Sequence, residues 1–271
     1  ERIYNCLPVH HVNSGVLSFY AVLITGNCQV QASRFSANKF WKEIKYSNAT
    51  IFHYLGVMVP ILLKQKKTLL EKQHTLRLGI GAGIEPNLHK IFESRFKVPM
   101  IELWGMTEMV RCIFDNEKDR EVGKRCIGSP KRIIEAMVVN NNGKKVINKP
   151  GELLIRYSKD YPRRGFFSGY YKNNAATNKI WKNNWFHTGD LVIQKKNSKI
   201  YFIDRIKNII RRTGENISAV EVESILLDDT SINNCAVISQ THRIYEEEVF
   251  AFIVLAKGIK PSRKKAESIL E

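Results

Sequence analysis

Acidic residues are scarce in this chain. Its 271 residues hold 26 Asp and Glu against 43 Lys and Arg, a net charge of +17, which would draw anions such as nucleic acid, acidic lipid or nucleotides. The sign does not choose among them. The basic residues are scattered through "KQKK", "KKNSK", "KNIIRR" and "SRKK", and no stretch interleaves aromatic and basic residues in the RNA-binding manner. A compositional bias explains the charge at least as well as a nucleic-acid face does, and no nucleic-acid partner is expected. Cysteine is also sparse. Cys6, Cys28, Cys112, Cys126 and Cys235 are odd in number with no pair two residues apart, which excludes a disulfide framework and a zinc knuckle and makes a reducing cytoplasm the expected location. Among seven histidines there is no HExxH pair, and His10-His11 is the one cluster, so a protein-borne transition-metal site is not expected.

Long hydrophobic runs are missing too. "VLSFYAVLI" from Val16 and "YLGVMVPILL" from Tyr54 fall short of the ~18 residues a spanning helix needs, so both read as core and no transmembrane segment is expected. The opening "ERIYNCLPVH" lacks the pattern of a secretory leader and does not start with Met; it reads as a piece of something longer. With 44% hydrophobic residues, the chain can bury one large or two ordinary cores.

Periodicity gives a mixed organisation. Helical spacing covers Trp41 to Tyr46 and Asn87 to Phe96, while "MIELW", "EAMVV", "GELLIRY" and "KIYFI" are strand candidates. Asn-Asn-Asn-Gly at 140 to 143, between "EAMVV" and "KKVI", is a hairpin signal, and Lys195 to Lys199 is a second. After "YFIDR" the chain turns polar and basic, and then offers a helix, "SAVEVESILLD", and strands "CAVIS" and "EVFAFIVLA". That order suits the start of a small α+β domain, with a boundary near Ile206.

Three stretches could hold a nucleotide. In "LGIGAGIEP" the glycines fall at 79, 81 and 83, but Ile84 stands where a dinucleotide fingerprint needs its third glycine. What remains is a strand end and a flexible loop before a Pro-started helix, either a close approach to a planar ligand or a plain turn. In "IELWGMTEM", Trp104 could stack on a base and Gly105 frees the backbone. Thr107 and Glu108 then offer a hydroxyl and a hard carboxylate oxygen for phosphate and magnesium, or else cap a helix. In "NNWFHTGDL", Asp190 at the tip of a Thr-Gly-Asp turn could accept from both ribose hydroxyls while partly hydrated, or be an ordinary turn residue, with Trp185 and Phe186 as core.

"LPVHHVNSG", "WGMTE", "GELLIR", "WFHTGDL" and "YFIDRIKNIIRRTGENISAVEVE" follow one another in the order found in AMP-forming acyl-CoA synthetases. The chain resembles that superfamily from about Leu7 to about Leu255, and "RRTGENISAVEVE" is most similar to crotonobetaine/carnitine-CoA ligases and related fatty-acyl-CoA ligases. The resemblance implies an α/β fold: residues 1–206 as the C-terminal portion of a large adenylating domain, with sheets flanked by helices and a small barrel-like part, and 207–271 as the start of a small mobile α+β domain. It implies that Trp104, in place of the usual Tyr, stacks on adenine beside the loop Gly81, Ala82, Gly83, Ile84 and next to Gly105. Thr107 would touch the α-phosphate, Glu108 would bind magnesium, and Asp190 with Arg205 would hold the ribose. Lys207 falls at the interdomain hinge, Gly214 in the pantetheine tunnel, and His11 at the gate near the acyl carboxylate, where a core histidine is the other reading. An acyl pocket would run from Phe52 to Ile61, the Gly81 loop and the residues after Glu108.

The implied substrates are ATP, coenzyme A and a carboxylic acid, either carnitine-like or fatty; magnesium is the implied ion, and a homodimer is open because family members are often dimers. Two family elements are not found: the phosphate-gripping loop would precede Glu1 and the catalytic Lys would follow Glu271, so this chain alone is expected not to adenylate. The alternatives are an adenylating enzyme that loads a carrier protein, or a nucleotide-binding remnant without chemistry.

Overall fold

The computed structural model describes residues 1–115, 118–130, 134–212, 215–242 and 246–270. Three sheets follow one another along the chain. The first holds β1 (Arg2–Asn5), β2 (Cys28–Gln31), β3 (Ile51–Leu55), β4 (Leu78–Ala82), β5 (Met100–Met106) and β6 (Met109–Phe114), in the order β2-β1-β3-β4-β5-β6. The first five strands are parallel and β6 turns back antiparallel on β5.

Parallel neighbours need crossovers, which α1 (Phe19–Thr25), α2 (Ala37–Ser47), α3 (Met58–Leu63) and α4 (Pro86–Phe96) supply. Phe40, Trp41 and Ile44 of α2, and His89, Phe92 and Phe96 of α4, are buried at helical spacing. All but His89 pack with Tyr4, Phe52, Tyr54 and Met100 of the sheet as one aromatic-rich core. Pro86 starts α4 where no backbone N–H is required.

The second sheet is antiparallel: β7 (Cys126–Gly128), β8 (Glu135–Val139), β9 (Pro150–Arg156), β10 (Trp181–Lys182), β11 (Trp185–Gln194) and β12 (Ile200–Arg205), with α5 (Asn174–Ile180) before β10. Its order is β7-β12-β11-β9-β8, and β10 pairs with β11. Trp104 and Ile113 of the first sheet join Val138, Leu153, Ile155 and Phe186 of the second in a shared cluster. The third sheet comprises β13 (Ile209–Arg212), β14 (Glu215–Ser218), β15 (Ile232–His242) and β16 (Glu246–Leu255), ordered β14-β13-β16-β15, with α6 (Ala219–Asp228) and α7 (Arg263–Leu270). The Ser218 hydroxyl caps α6 by accepting from the Glu221 amide at 3.3 Å.

The mixed α/β class expected from the sequence is the one adopted; two of the three expected helices lie inside α2 and α4, and the third, "SAVEVESILLD", forms α6. The expected hairpin at Lys195 to Lys199 joins β11 to β12, with the Lys195 amide donating to the Lys199 carbonyl at 2.9 Å. One expectation is met in part and one fails. The hairpin expected at 140 to 143 is shorter than its sequence suggests: it forms, with the Asn140 amide donating to the Lys144 carbonyl at 3.0 Å and the Val146 amide to the Val138 carbonyl at 2.9 Å around one bridge, Val139 to Lys145, while the long partner of β8 is β9. "VLSFYAVLI" is not core: Phe19, Tyr20, Leu23 and Ile24 are exposed and Val22 is buried. The second run is amphipathic, burying Met58, Val59 and Leu62 and exposing Val57. Among the described residues no helix is long and apolar enough to cross a membrane, and all five cysteines are free thiols.

Removing a ring from the first core should be costly. Phe92 is 0% exposed, and Phe92→Ala is expected to lose about 3–5 kcal/mol in a denaturant titration. Ile24 is 84% exposed, and Ile24→Ala is expected to stay within about 0.5 kcal/mol of the parent.

Candidate active site

Along β11 every second residue points inward, placing Phe186, Thr188, Asp190, Val192 and Gln194 on the buried face. Asp190 is therefore part of a continuous strand rather than the tip of a tight turn. The turn-like signal corresponds to a bulge: pairing with β9 shifts between His187 and Leu191, and Gly189 takes φ +70°, which glycine adopts without steric cost. Bulges re-aim side chains. Asp190 is 4% exposed, not partly hydrated as a turn would leave it.

Such burial needs compensation. The indole Nε1–H of Trp104 donates to Asp190 Oδ2 at 2.8 Å, and Arg205 Nη1 lies 3.0 Å from Oδ1. Arg205 also donates to the Thr188 carbonyl at 2.9 Å. Desolvation still dominates and holds the Asp190 carboxyl above its ordinary pKa, against the opposing pull of Arg205 and Trp104.

These three residues line a cavity of about 380 Å³ together with Ala82, Gly83, Glu102, Gly105 and Arg125, and Val220 of α6 reaches its wall. It lies beyond the C-terminal end of β4 and along the end of β5, the usual ligand position in an open parallel sheet. Gly81 and Ile84 stand behind the wall. A Cβ on Gly81 would come within 2.1 Å of the Tyr54 carbonyl oxygen, so this glycine serves packing. Ile84 is buried and its amide donates to Glu102 Oε1 at 2.9 Å.

A smaller cavity of about 210 Å³ shares Ala82, Leu103 and Gly105 with the first and reaches His11, Leu17, Leu55, Met109 and Arg111. His11 Nδ1 accepts from the Asn13 amide at 3.2 Å. Of the expected acyl wall, Leu55, Ala82 and the residues after Glu108 contribute, while Phe52 is 1% exposed in the first core.

Thr107 and Glu108 form the turn between β5 and β6, not the start of a helix, and they line neither cavity. Glu108 Oε1 accepts from the Tyr170 hydroxyl at 2.7 Å. Among the described residues no group of three or more His, Cys, Asp or Glu could hold a metal. A lone carboxylate nonetheless suits magnesium, which is held by one or two carboxylates plus phosphates and water. Lys207 is exposed in a short 3₁₀ turn, Ile206–Asn208, directly after β12. Gly214 lies outside the described residues.

Two buried carboxylates escaped the sequence reading. Glu102, 5% exposed, accepts from Ile84 and from the Tyr54 hydroxyl at 3.3 Å. Burial pushes its pKa up to about 7, against the Ile84 amide and the charges of His89 and Arg125. Asp204, 1% exposed, accepts from the Ser218 hydroxyl at 2.6 Å and from the Asn208 amide at 3.2 Å. An acid inside the apolar run "MIELW" was the available signal for Glu102. The contacts of Asp204 come from residues up to 16 positions away and left no local trace.

A model of the family described as AMP-binding enzyme matches residues 1–171. The chain belongs to that family. This AMP-binding enzyme chain is 31% identical to a crotonobetaine/carnitine–CoA ligase of Proteus mirabilis over 258 residues, 93% of this chain and 49% of that protein. It is 30% identical to the protein of the same name from Citrobacter koseri, with the same coverage. The chain thus spans about half the length of the curated relatives it matches. The fold is shared with o-succinylbenzoate CoA synthetase of Bacillus subtilis in complex with its acyl-adenylate intermediate (TM-score 0.82, 21% identity, 100% of this chain and 54% of that one). ATP-bound MatB from Rhodopseudomonas palustris is similar to the same degree (TM-score 0.82, 20% identity, 100% and 53%). The relationships bear out the adenylate-forming acyl-CoA synthetase superfamily expected from the motifs.

Glu102 should make stability depend on pH. Between about 4.5 and about 7 the folded AMP-binding enzyme chain keeps this carboxyl protonated while the unfolded chain ionises it, so stability falls as pH rises and levels off above 7. The expected loss approaches roughly 3 kcal/mol. Denaturant titrations at pH 5 and pH 8 should show it in the parent and not in Glu102→Gln, which keeps an acceptor for Ile84.

Proposed function

We propose that the chain is the central and C-terminal part of an ATP-dependent carboxylate–CoA ligase of the AMP-forming type. The observation that carries this reading is the Trp104–Asp190–Arg205 constellation on one cavity, opening through Ala82, Leu103 and Gly105 into a second. A carboxylate oxygen has two acceptor sites. Asp190, with one contact from Trp104 and one from Arg205, can therefore still accept from two ribose hydroxyls. The indole of Trp104 would stand against the base, with the Ala82–Gly83 backbone and Gly105 on the other side.

A free carboxylate is a poor electrophile because oxide would have to leave. In the proposed reaction an oxygen of the acid attacks the α-phosphorus of ATP and pyrophosphate departs, giving the acyl-adenylate. The thiol of coenzyme A then attacks the acyl carbon and AMP departs. The protein mainly positions groups and meets developing charge. Thr107 would meet the α-phosphate, and Glu108 would help hold magnesium, which draws the phosphate charge when bound. His11 would border the acyl carboxylate. Residues 1–206 would belong to the larger domain and 207–271 to a mobile one, pivoting at Lys207 between the half-reactions, with Gly214 toward the pantetheine. The names of the relatives point to a carnitine-like acid and the wider resemblance to a fatty acid; a homodimer is part of the reading.

The deciding experiment is carboxylate-dependent exchange of labelled pyrophosphate into ATP by the protein with its native flanks, over acids from carnitine-like to long-chain and including short dicarboxylates. Exchange with one class supports adenylation and identifies the acid. Folded protein that exchanges with none would favour a nucleotide-binding remnant, and an acyl group accepted by a carrier protein but not by free coenzyme A would favour the loading enzyme.

Two substitutions probe the assigned roles. Asp190→Ala is expected to weaken AMP binding about 10- to 100-fold, the range of hydrogen bonds to a charged group; unchanged affinity by calorimetry would remove the ribose assignment. Lys207→Pro fixes φ at the joint and is expected to spare pyrophosphate exchange while slowing thioester formation; equal loss of both would count against the pivot.

A further inference from the structure

The second cavity is lined by an arginine to which the proposed reaction gives no role. Its wall is mostly Leu, Met, Val and small residues, and Arg111 is its sole permanently charged member. Arg111 follows Met109 on the same face of β6, two residues along. Its guanidinium is braced from outside, stacked 4.6 Å from the centroid of the Tyr157 ring with Nη1 donating to the Arg164 carbonyl at 3.0 Å. A Cβ at Gly165 would stand 1.9 Å from Nη1, so the absence of a side chain there lets the guanidinium settle. Among the described residues that is its one hydrogen bond, and no carboxylate lines the cavity with it. A guanidinium carries five N–H donors, which leaves several for a ligand.

Size and chemistry narrow what could fill this space. About 210 Å³ is below the roughly 300–1,000 Å³ of sites that enclose drug-sized ligands, too little for a long acyl chain. A quaternary ammonium group is held by aromatic faces, and Phe, Tyr and Trp are all missing from the lining; its cation would also meet Arg111. We infer that Arg111 selects a short acid carrying a second anionic group, such as a dicarboxylate, with the reacting carboxylate toward Gly105 and the other on the guanidinium. The inference rests on the reading of the first cavity as the nucleotide site and puts a short diacid in place of the carnitine-like or fatty acid to which the relatives point.

The test uses adenosine sulfamates acylated on nitrogen, stable mimics of an acyl-adenylate, with tails of matched length ending in carboxylate, methyl or trimethylammonium. Binding of each, and of AMP, to the 271-residue chain is measured by calorimetry. The reacting carboxyl is capped in every mimic, so a preference reports the far end of the acid. The carboxylate tail is expected to bind at least about tenfold tighter than methyl, as a charge-assisted hydrogen bond provides, with trimethylammonium weakest. Arg111→Gln should abolish the order and Arg111→Lys should keep it in reduced form. Equal affinities for the three tails, a preference for trimethylammonium, or an order unchanged in Arg111→Gln would each overturn the inference while AMP still binds. Failure of AMP itself to bind the folded chain would overturn the nucleotide reading and this inference with it.

Discussion

A carboxylate on the buried face of a strand is the constraint around which this site is arranged. Asp190 faces inward because β11 alternates and because the bulge at Gly189 keeps it in the wall of the cavity. Left unpaired it would destabilise the fold by several kcal/mol. Trp104 and Arg205 offset that cost from two different strands. The indole is a donor only, so its one hydrogen bond fixes the plane of the ring. Indole and carboxylate are thereby coupled: the carboxylate cannot shift without freeing the indole, and the indole cannot turn without leaving the buried carboxylate short of a donor.

The end of β12 extends this coupling to the third sheet. Successive residues of a strand point to opposite sides, and here Arg205 turns to Asp190 while Asp204 turns to Ser218, the cap of α6. Two adjacent residues thus tie the cavity wall to the helix that contributes Val220 to it.

Much of the fold was legible because local rules and tertiary packing agree. Helices α2 and α4 have the periodicity of a half-buried helix, and strands β5, β8, β9 and β12 carry the apolar, branched and aromatic runs of strands. The ordered motifs likewise indicated Trp104, Asp190 and Arg205, which the fold brings together. What failed was local inference where nonlocal pairing decides. "HTGD" reads as a turn, but its neighbours on β9 and β12 hold it as strand with one irregular step. "VLSFYAVLI" has the composition of core, yet burial depends on what packs against it, and most of its large side chains face outward. Glu102 and Asp204 were overlooked because their partners, Ile84 and Ser218, are remote in sequence.

The net charge of +17 is not concentrated at the cavity beside Asp190. Its charged lining residues are Glu85, Glu102, Asp190 and Asp204 against Arg125 and Arg205, and both arginines are paired with carboxylates there, Arg125 with Glu85 at 2.7 Å and Arg205 with Asp190. Even with Glu102 protonated, acids outnumber bases. A lining of that kind suits a neutral base and a sugar, which need oriented acceptors and no counter-charge. A triphosphate needs the opposite, which these two arginines, already paired, do not supply. Arg111 in the adjoining cavity is not offset by any carboxylate there. The two ends of the site therefore differ in sign, and an acid with an anionic far end would lie along that gradient, its adenylated end toward the acidic cavity and its free charge on the guanidinium.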